Sequence, residues 1–103
     1  DELQYYEQAK RVYEQAGATK TADYAGLLMS LGARHGKQGN NRDELQYYEQ
    51  AKRAYEQAGT TKTAGYAGLL KSLGVCHGEQ GNNKDELQYY EQAKRAYEQA
   101  GAT

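Results

Sequence analysis

The chain has 103 residues, 13 basic and 14 acidic side chains, and a formal net charge of −1 at pH 7. This balance argues against nucleic acid and anionic membrane as partners, because both favour a basic surface. The sequence has no apolar run of roughly 18 residues that could span a bilayer and no recognisable targeting segment. Its one cysteine, Cys76, excludes an internal disulfide framework.

The sequence repeats itself with a period of 42 residues. Residues 1–42 align without a gap with residues 43–84, and residues 85–103 begin a third copy, so we expect one repeat domain over residues 1–103. Repetition at such a period is typical of stacked units that share a continuous core. The first two copies differ at eight positions, which are Val12/Ala54, Ala18/Thr60, Asp23/Gly65, Met29/Lys71, Ala33/Val75, Arg34/Cys76, Lys37/Glu79 and Arg42/Lys84.

Five helices and no strand are predicted, near residues 1–16, 22–37, 42–58, 64–79 and 84–100. The first, third and fifth helices carry the phrase DELQYYEQAKR. Asn41 and Glu44 have the spacing of a capping box at the start of the third helix, and Gly59 suits its end. The apolar positions of this helix fall on one stripe at helical spacing: Leu45, Tyr48, Ala51, Tyr55 and Ala58.

The second and fourth helices are predicted to begin after Thr21 and Thr63, which are suitable N-caps. Gly78 and Gly81 are expected to end the fourth helix. The connections between helices are short, which favours antiparallel helix hairpins. The apolar stripe of the fourth helix consists of Tyr66, Leu69, Leu70, Leu73 and His77.

Gly32 and Gly74 lie inside predicted helices, where a glycine costs roughly 0.5–1 kcal/mol relative to alanine. We therefore expect both glycines at contacts where two helices approach closely. Of the paired tyrosines, Tyr48 is expected to face the partner helix of its unit. Tyr47 is expected to flank that contact or to reach the neighbouring unit.

The pattern resembles the tetratricopeptide repeat (TPR) family, in the 42-residue form found in kinesin light chains. The positions that match the family signature in order are Leu28, Leu31, Gly32, His35, Gly39, Tyr48 and Ala51, and then Leu70, Leu73, Gly74, His77, Gly81, Tyr90 and Ala93. The chain departs from the family at Glu44, where a small residue is usual, at Lys52, where leucine is usual, and in having no proline between units.

The resemblance implies an all-α fold, an open right-handed α-α superhelix of five antiparallel helices. It also implies a function in protein–protein interaction, with a peptide or helix of another protein held on the concave face. The positions that would line this groove are Gly26, Met29, Ala33, Lys37, Gly68, Lys71, Val75 and Glu79.

Several of these groove positions differ between the two copies, and two interpretations of the difference stay open. In the first interpretation, these positions are exposed and vary because nothing constrains them. In the second, they are adapted to a ligand. A second function is also open, in which the chain is a structural spacer or a consensus repeat array without a ligand. Near-identity of the copies favours this alternative, because a binding groove usually diversifies along its length.

No pattern in the chain indicates an enzyme, a cofactor or a metal site. His35 and His77 occupy equivalent places in successive units, so they are expected to lie too far apart for one zinc ion and to hydrogen-bond between helices instead. Cys76 has no acid–base partner in the pattern and is expected to be inert, although an exposed thiol could cross-link two chains.

The terminal helices have the sequence of interior units rather than of polar caps. We therefore expect modest stability and end-to-end self-association through residues 1–16 and 85–103. The chain begins at Asp1 without a methionine, so we expect it to be part of a longer protein. The compartment stays open, with the cytoplasm favoured.

Overall fold

A computed structural model describes residues 1–101, and within this range the chain contains helices and turns but no strand. The five helices are α1 (Glu2–Gln15), α2 (Ala22–Lys37), α3 (Asn41–Gln57), α4 (Ala64–Glu79) and α5 (Asn83–Gln99). The prediction of five helices without a strand is thus confirmed for the described residues. The helices form two compact units, one of residues Asp1–Gly59 with α1 to α3, and one that begins at Thr60 with α4 and α5.

In the first unit, α2 packs closely against α3 and makes a smaller contact with α1. The buried side chains are Tyr24, Ala25, Leu28 and Leu31 on α2 and Tyr48, Ala51, Ala54 and Tyr55 on α3. Three of the four on α3 lie on its predicted stripe, whose Leu45 and Ala58 are not buried. No residue of α1 is buried. Only two of these buried side chains are leucines, so alanine and tyrosine make up most of this set.

In the second unit, α4 packs against α5. The buried residues are Ala67, Leu69, Leu70, Leu73 and Cys76 on α4 and Ala93 and Ala96 on α5. The Cys76 thiol is therefore shielded from solvent, which disfavours the cross-linking that an exposed thiol would allow.

Both hairpins depend on a glycine at the closest approach of their helices. A Cβ atom added at Gly32 would lie 2.8 Å from ring carbons of Tyr48, and one added at Gly74 would lie 2.7 Å from Cε1 of Tyr90. Real Cβ atoms essentially never come so close to another atom. The expectation that Gly32 and Gly74 lie at helix contacts, with Tyr48 facing its partner helix, is confirmed.

Threonine caps start the first helix of each hairpin, as predicted. The Thr21 Oγ1 accepts a hydrogen bond from the backbone N–H of Tyr24 at 3.1 Å, and the Thr63 Oγ1 accepts one from Tyr66 at 3.2 Å. Each hydroxyl also donates to a carbonyl three residues earlier, that of Ala18 or Thr60.

The predicted capping box at Asn41 and Glu44 is wrong. Helix α3 begins at Asn41, its N-cap is Asn40, and no side chain caps it. The N–H of Glu44 donates to the Asn40 carbonyl at 3.0 Å, so the ordinary helix ladder already satisfies the amide that the Asn41 side chain was expected to bind. The Glu44 carboxylate instead lies beside the backbone of α2 at Gly36.

The predicted end of α4 is half right. Gly78 lies inside the helix, which continues to Glu79. Gly81 has a φ of +83°, a left-handed conformation that favours glycine and suits a chain that reverses into α5.

We predict that the threonine caps stabilise the fold and that the asparagines do not. Thr21→Ala should lower the free energy of unfolding by about 1 kcal/mol, because the Tyr24 amide loses its acceptor. Asn40→Ala is the matched control and should change it by less than about 0.5 kcal/mol. Urea unfolding followed by circular dichroism measures both, and equal losses would contradict the assignment of the caps.

We also predict opposite effects of the same substitution at two glycines of α2. Gly32→Ala should destabilise the chain by about 1–3 kcal/mol, because the new methyl group overlaps the Tyr48 ring. Gly26→Ala should stabilise it by roughly 0.5–1 kcal/mol through helix propensity, because no atom lies within 4 Å of its added Cβ. Thermal unfolding of the two variants tests the pair, and a stabilising Gly32→Ala would contradict the close approach.

Candidate interaction surface

Beside each glycine contact, a histidine of the first helix stacks on a tyrosine of the second. The ring centroids of His35 and Tyr47 are 5.2 Å apart with an interplanar angle of 17°, and those of His77 and Tyr89 have the same separation and angle. The His35 Nδ1 lies 3.9 Å from the Asp43 Oδ2, and neither buried ring nitrogen of His35 has a hydrogen-bond partner. The expectation that these histidines hydrogen-bond between helices is therefore wrong, and ring stacking holds them.

Tyr47 also lies near α1, because the charge of the Glu7 carboxylate contributes to the raised pKa of its phenol. Tyr47 therefore flanks the hairpin contact, where its ring stacks on His35. Burial, with the nearby Glu7 carboxylate as a second cause, raises the pKa of the Tyr47 phenol.

The contact between α1 and α2 includes a pair of aromatic rings, a hydrogen bond and an ion pair. The rings of Tyr13 and Tyr24 meet edge to face at 5.9 Å, and the Tyr24 hydroxyl donates to the Glu14 Oε2 at 3.3 Å. An ion pair joins the Arg34 Nε to the Glu2 Oε1 at 3.4 Å. Burial raises the pKa of the Tyr24 phenol.

On α2, the predicted groove positions lie on the side of the helix opposite to its buried stripe. Ala33 and Lys37 are exposed, whereas Gly26 and Met29 are half-buried. Their spacing of three or four residues aligns them as one row along the helix. Nothing lies within 4 Å of a Cβ added at Gly26, so internal packing does not explain why that position is a glycine.

On α4, the equivalent row is more polar. Lys71 and Glu79 are exposed, Val75 is exposed to 40%, and Gly68 is half-buried. None of the eight groove positions is buried, and each row carries charged side chains that would be available to a partner. The α2 row offers a thioether and one cation, whereas the α4 row offers a cation, a valine and an anion.

Sequence reasoning missed a second glycine contact in each hairpin. The Glu44 carboxylate lies where a Cβ of Gly36 would be, and the Glu86 carboxylate lies in the same way against Gly78. The signal was present, because Gly32 and Gly36, like Gly74 and Gly78, are four residues apart and therefore share one helix face. It also missed Asp1 as the N-cap of α1, whose Oδ1 accepts from the Gln4 N–H at 3.0 Å.

Within residues 1–101, no cluster of three or more His, Cys, Asp or Glu side chains is arranged to hold a metal ion. None of the helices in that range is both long and apolar enough to span a membrane. No protein-family model matches the chain, and no curated protein matches it.

We predict that alkaline pH weakens the fold through its buried phenols. Burial raises the pKa of Tyr55 as it does those of Tyr24 and Tyr47. A phenol pKa that is higher in the folded state stabilises the fold below the ordinary value of about 10, and this stability is lost as the pH rises through the folded pKa.

Chemical unfolding at pH values from about 8 to 11.5 should therefore show a falling free energy of unfolding above about pH 10. Tyr55→Phe should make this fall shallower, because one buried phenol no longer ionises. Tyr5→Phe, at an exposed position, is the matched control. A free energy of unfolding that stays constant across this range would contradict the prediction.

Proposed function

We propose that the chain is a TPR-like interaction scaffold whose helix hairpins stack as an open right-handed superhelix. In this proposal the first helix of each hairpin, α2 or α4, lines the concave face and holds a peptide or helix of another protein. The proposal assigns the chain no catalytic activity and no cofactor. Its support comes from the resemblance of the repeat pattern and from the way that each hairpin divides its residues between packing and surface.

One observation carries the proposal most directly. Within the first two copies, the glycine, tyrosine and histidine positions that hold the hairpins together are identical, whereas Met29/Lys71, Ala33/Val75 and Lys37/Glu79 differ. All six of these residues lie on the unburied side of α2 or α4. A row that varies on a constant framework is what recognition of an asymmetric ligand requires, because each unit then meets a different part of the ligand.

The chemistry of the rows indicates the kind of ligand. Met29 adapts its shape readily to apolar side chains, and Gly26 leaves open space beside the helix. Lys37 favours an acidic group opposite α2, whereas Lys71 and Glu79 together favour a ligand segment that carries both charges. We therefore propose a peptide with an apolar side chain and an acidic residue opposite α2, followed by a segment of mixed charge.

The second candidate function is a structural spacer or consensus repeat array without a ligand. The observation that favours it is the near-identity of the copies, which differ at only eight aligned positions. In this case the exposed rows have drifted freely, and their substitution would change no interaction.

We predict that the immobilised full chain selects peptides from a random peptide-display library. Lys37→Glu and Glu79→Lys should each weaken binding of the selected peptide by about tenfold or more, because each reversal places like charges opposite one another. Arg53→Glu is the matched control, since Arg53 is an exposed charge on α3, outside the two rows. Fluorescence anisotropy of the labelled peptide measures its affinity for the unchanged chain and for the three variants.

Two results would reject the scaffold in favour of the spacer. One is a library that yields no peptide with saturable binding. The other is a selected peptide whose affinity falls as much with Arg53→Glu as with the row variants, which would show non-specific attraction of charge.

A further inference from the structure

Asp23 extends the α2 row to the N-terminal end of the helix. It lies three residues before Gly26 and fourteen residues before Lys37, spacings that keep it on the unburied side of α2. Both Asp23 and Lys37 are exposed. Within residues 1–101, neither charge takes part in an ion pair. The extended row therefore carries an anion at one end and a cation at the other, and both are available to a ligand.

We propose that Asp23 selects a basic residue of the ligand, so that the α2 row binds an extended peptide with a fixed order of groups. From the N-terminal to the C-terminal end of α2, this order is basic, apolar and acidic. The inference rests on the proposed function, because it requires that the row binds a peptide. It adds a specificity-determining residue outside the eight groove positions and a direction of charge along the ligand.

The differences between the first two copies indicate that the charge of Asp23 serves the surface. Four of the eight differences change a charge, at positions 23/65, 29/71, 34/76 and 37/79. One of them is explained within the first unit, because Arg34 forms an ion pair with Glu2. The other three lie on the unburied side of α2 and α4, and no ion pair of the described residues includes them.

Stabilisation of the helix itself does not account for Asp23. An acid in the first turn and a base in the last turn both favour the helix dipole. Helix α4 has Gly65 and Glu79 at these two places, so it lacks the favourable acid and carries an acid where the dipole disfavours one. It nevertheless begins after a threonine cap and has the same 16 residues as α2. Formation of this helix thus does not require the charge of Asp23.

The separation of the two charges defines the length of the ligand. Fourteen residues of helix rise about 21 Å, which is more than twice the screening length of about 8 Å at physiological ionic strength. Asp23 and Lys37 therefore do not neutralise each other, and each can bind a separate charge of the ligand. An extended peptide covers about 21 Å in roughly six or seven residues.

The residues between the charges define the middle of the ligand. Met29 lies six residues after Asp23, or about 9 Å along the helix axis, so the apolar side chain should follow the basic one by roughly two or three residues. The small residues Gly26 and Ala33 let a peptide backbone lie close to α2. This suits an extended chain better than a helix, whose side chains surround its backbone.

The first test compares two selections from a random peptide-display library, one on the full chain and one on its Asp23→Lys variant. The unchanged chain should enrich peptides in which Lys or Arg stands roughly six or seven positions from Asp or Glu. The Asp23→Lys variant should instead enrich peptides with an acidic residue in place of the basic one, because the charge that selects this residue is reversed. Sequencing of both pools measures the exchange.

Affinities of a single peptide from the first pool, measured by fluorescence anisotropy, provide the second test. Asp23→Lys should weaken binding by roughly tenfold or more, and replacing the basic residue of the peptide with glutamate should restore binding to this variant to within about threefold. Asp23→Gly gives α2 the residue that α4 has, so the helix is retained, and it should remove the preference for a basic over a neutral residue.

Glu91→Lys is the matched control for charge. It changes the net charge by the same amount as Asp23→Lys, at an exposed position of α5 outside the two rows. The selected peptide should bind this variant as it binds the unchanged chain. An equal loss of affinity with Glu91→Lys and Asp23→Lys would overturn the inference, because it would show attraction to net charge only.

The remaining outcomes separate this inference from the proposed function. Peptides whose affinity depends on Lys37 and Glu79 but not on Asp23 would overturn the inference and leave the scaffold in place. A library that yields no peptide with saturable binding would overturn both. Sedimentation of the chain alone tests a different occupant. If the chain self-associates and Asp23→Lys abolishes that self-association, a second copy occupies the row and the inference fails.

Discussion

The approach of a tyrosine ring to a glycine in the facing helix determines the geometry of each hairpin. The Tyr48 ring lies where a side chain of Gly32 would otherwise stand, so the backbones of α2 and α3 come closer than larger residues would allow. This separation also brings His35 onto the ring of Tyr47 and leaves room for the Glu44 carboxylate beside Gly36. The same three contacts recur between α4 and α5, which is the physical reason for repeating these residues without change.

A chain with few large aliphatic residues compensates with close packing of small ones. Alanines at positions 51, 54, 93 and 96 are buried, and they let two helix backbones approach within reach of dispersion contacts along their length. Tyr24, Tyr48 and Tyr55 are buried as well, and tyrosine hydroxyls need polar partners. Glu14 meets this need for Tyr24. The polar character of the sequence is therefore part of how its interior is built.

The sequence predicted the helices, the threonine caps and the glycine contacts because each has a local pattern with one physical meaning. Thr21 and Thr63 directly precede a segment whose apolar residues recur at helical spacing. Gly32 and Gly74 lie inside helices, where a glycine lowers stability, and a close approach of two helices explains their presence. The capping box failed because the spacing of Asn41 and Glu44 fits both a cap and the first turn of a helix that begins one residue earlier. The prediction that His35 forms a hydrogen bond failed for another reason. A histidine near a helix contact can either form a hydrogen bond or pack against a ring, and only the tertiary geometry determines which of the two occurs. Helix periodicity places the predicted groove positions in one row on each helix, whereas their role in a groove is implied only by the family resemblance and their ligand requires information that periodicity does not contain.

The near-identity of α1, α3 and α5 has a consequence for how the chain finds its pairing. Helix α2 lies between two helices that differ, over the packed segment, only at Val12 and Ala54. Both flanking helices present the same tyrosine pair, so hydrophobic pattern alone does not tell α2 which of them should receive its glycine face. The short turn at Gln38–Asn40 favours α3, and the bulk of Val12 disfavours α1. A single branched side chain on an exposed surface thus helps to keep the folding register of a chain whose repetition would otherwise make the wrong pairing almost as stable as the right one.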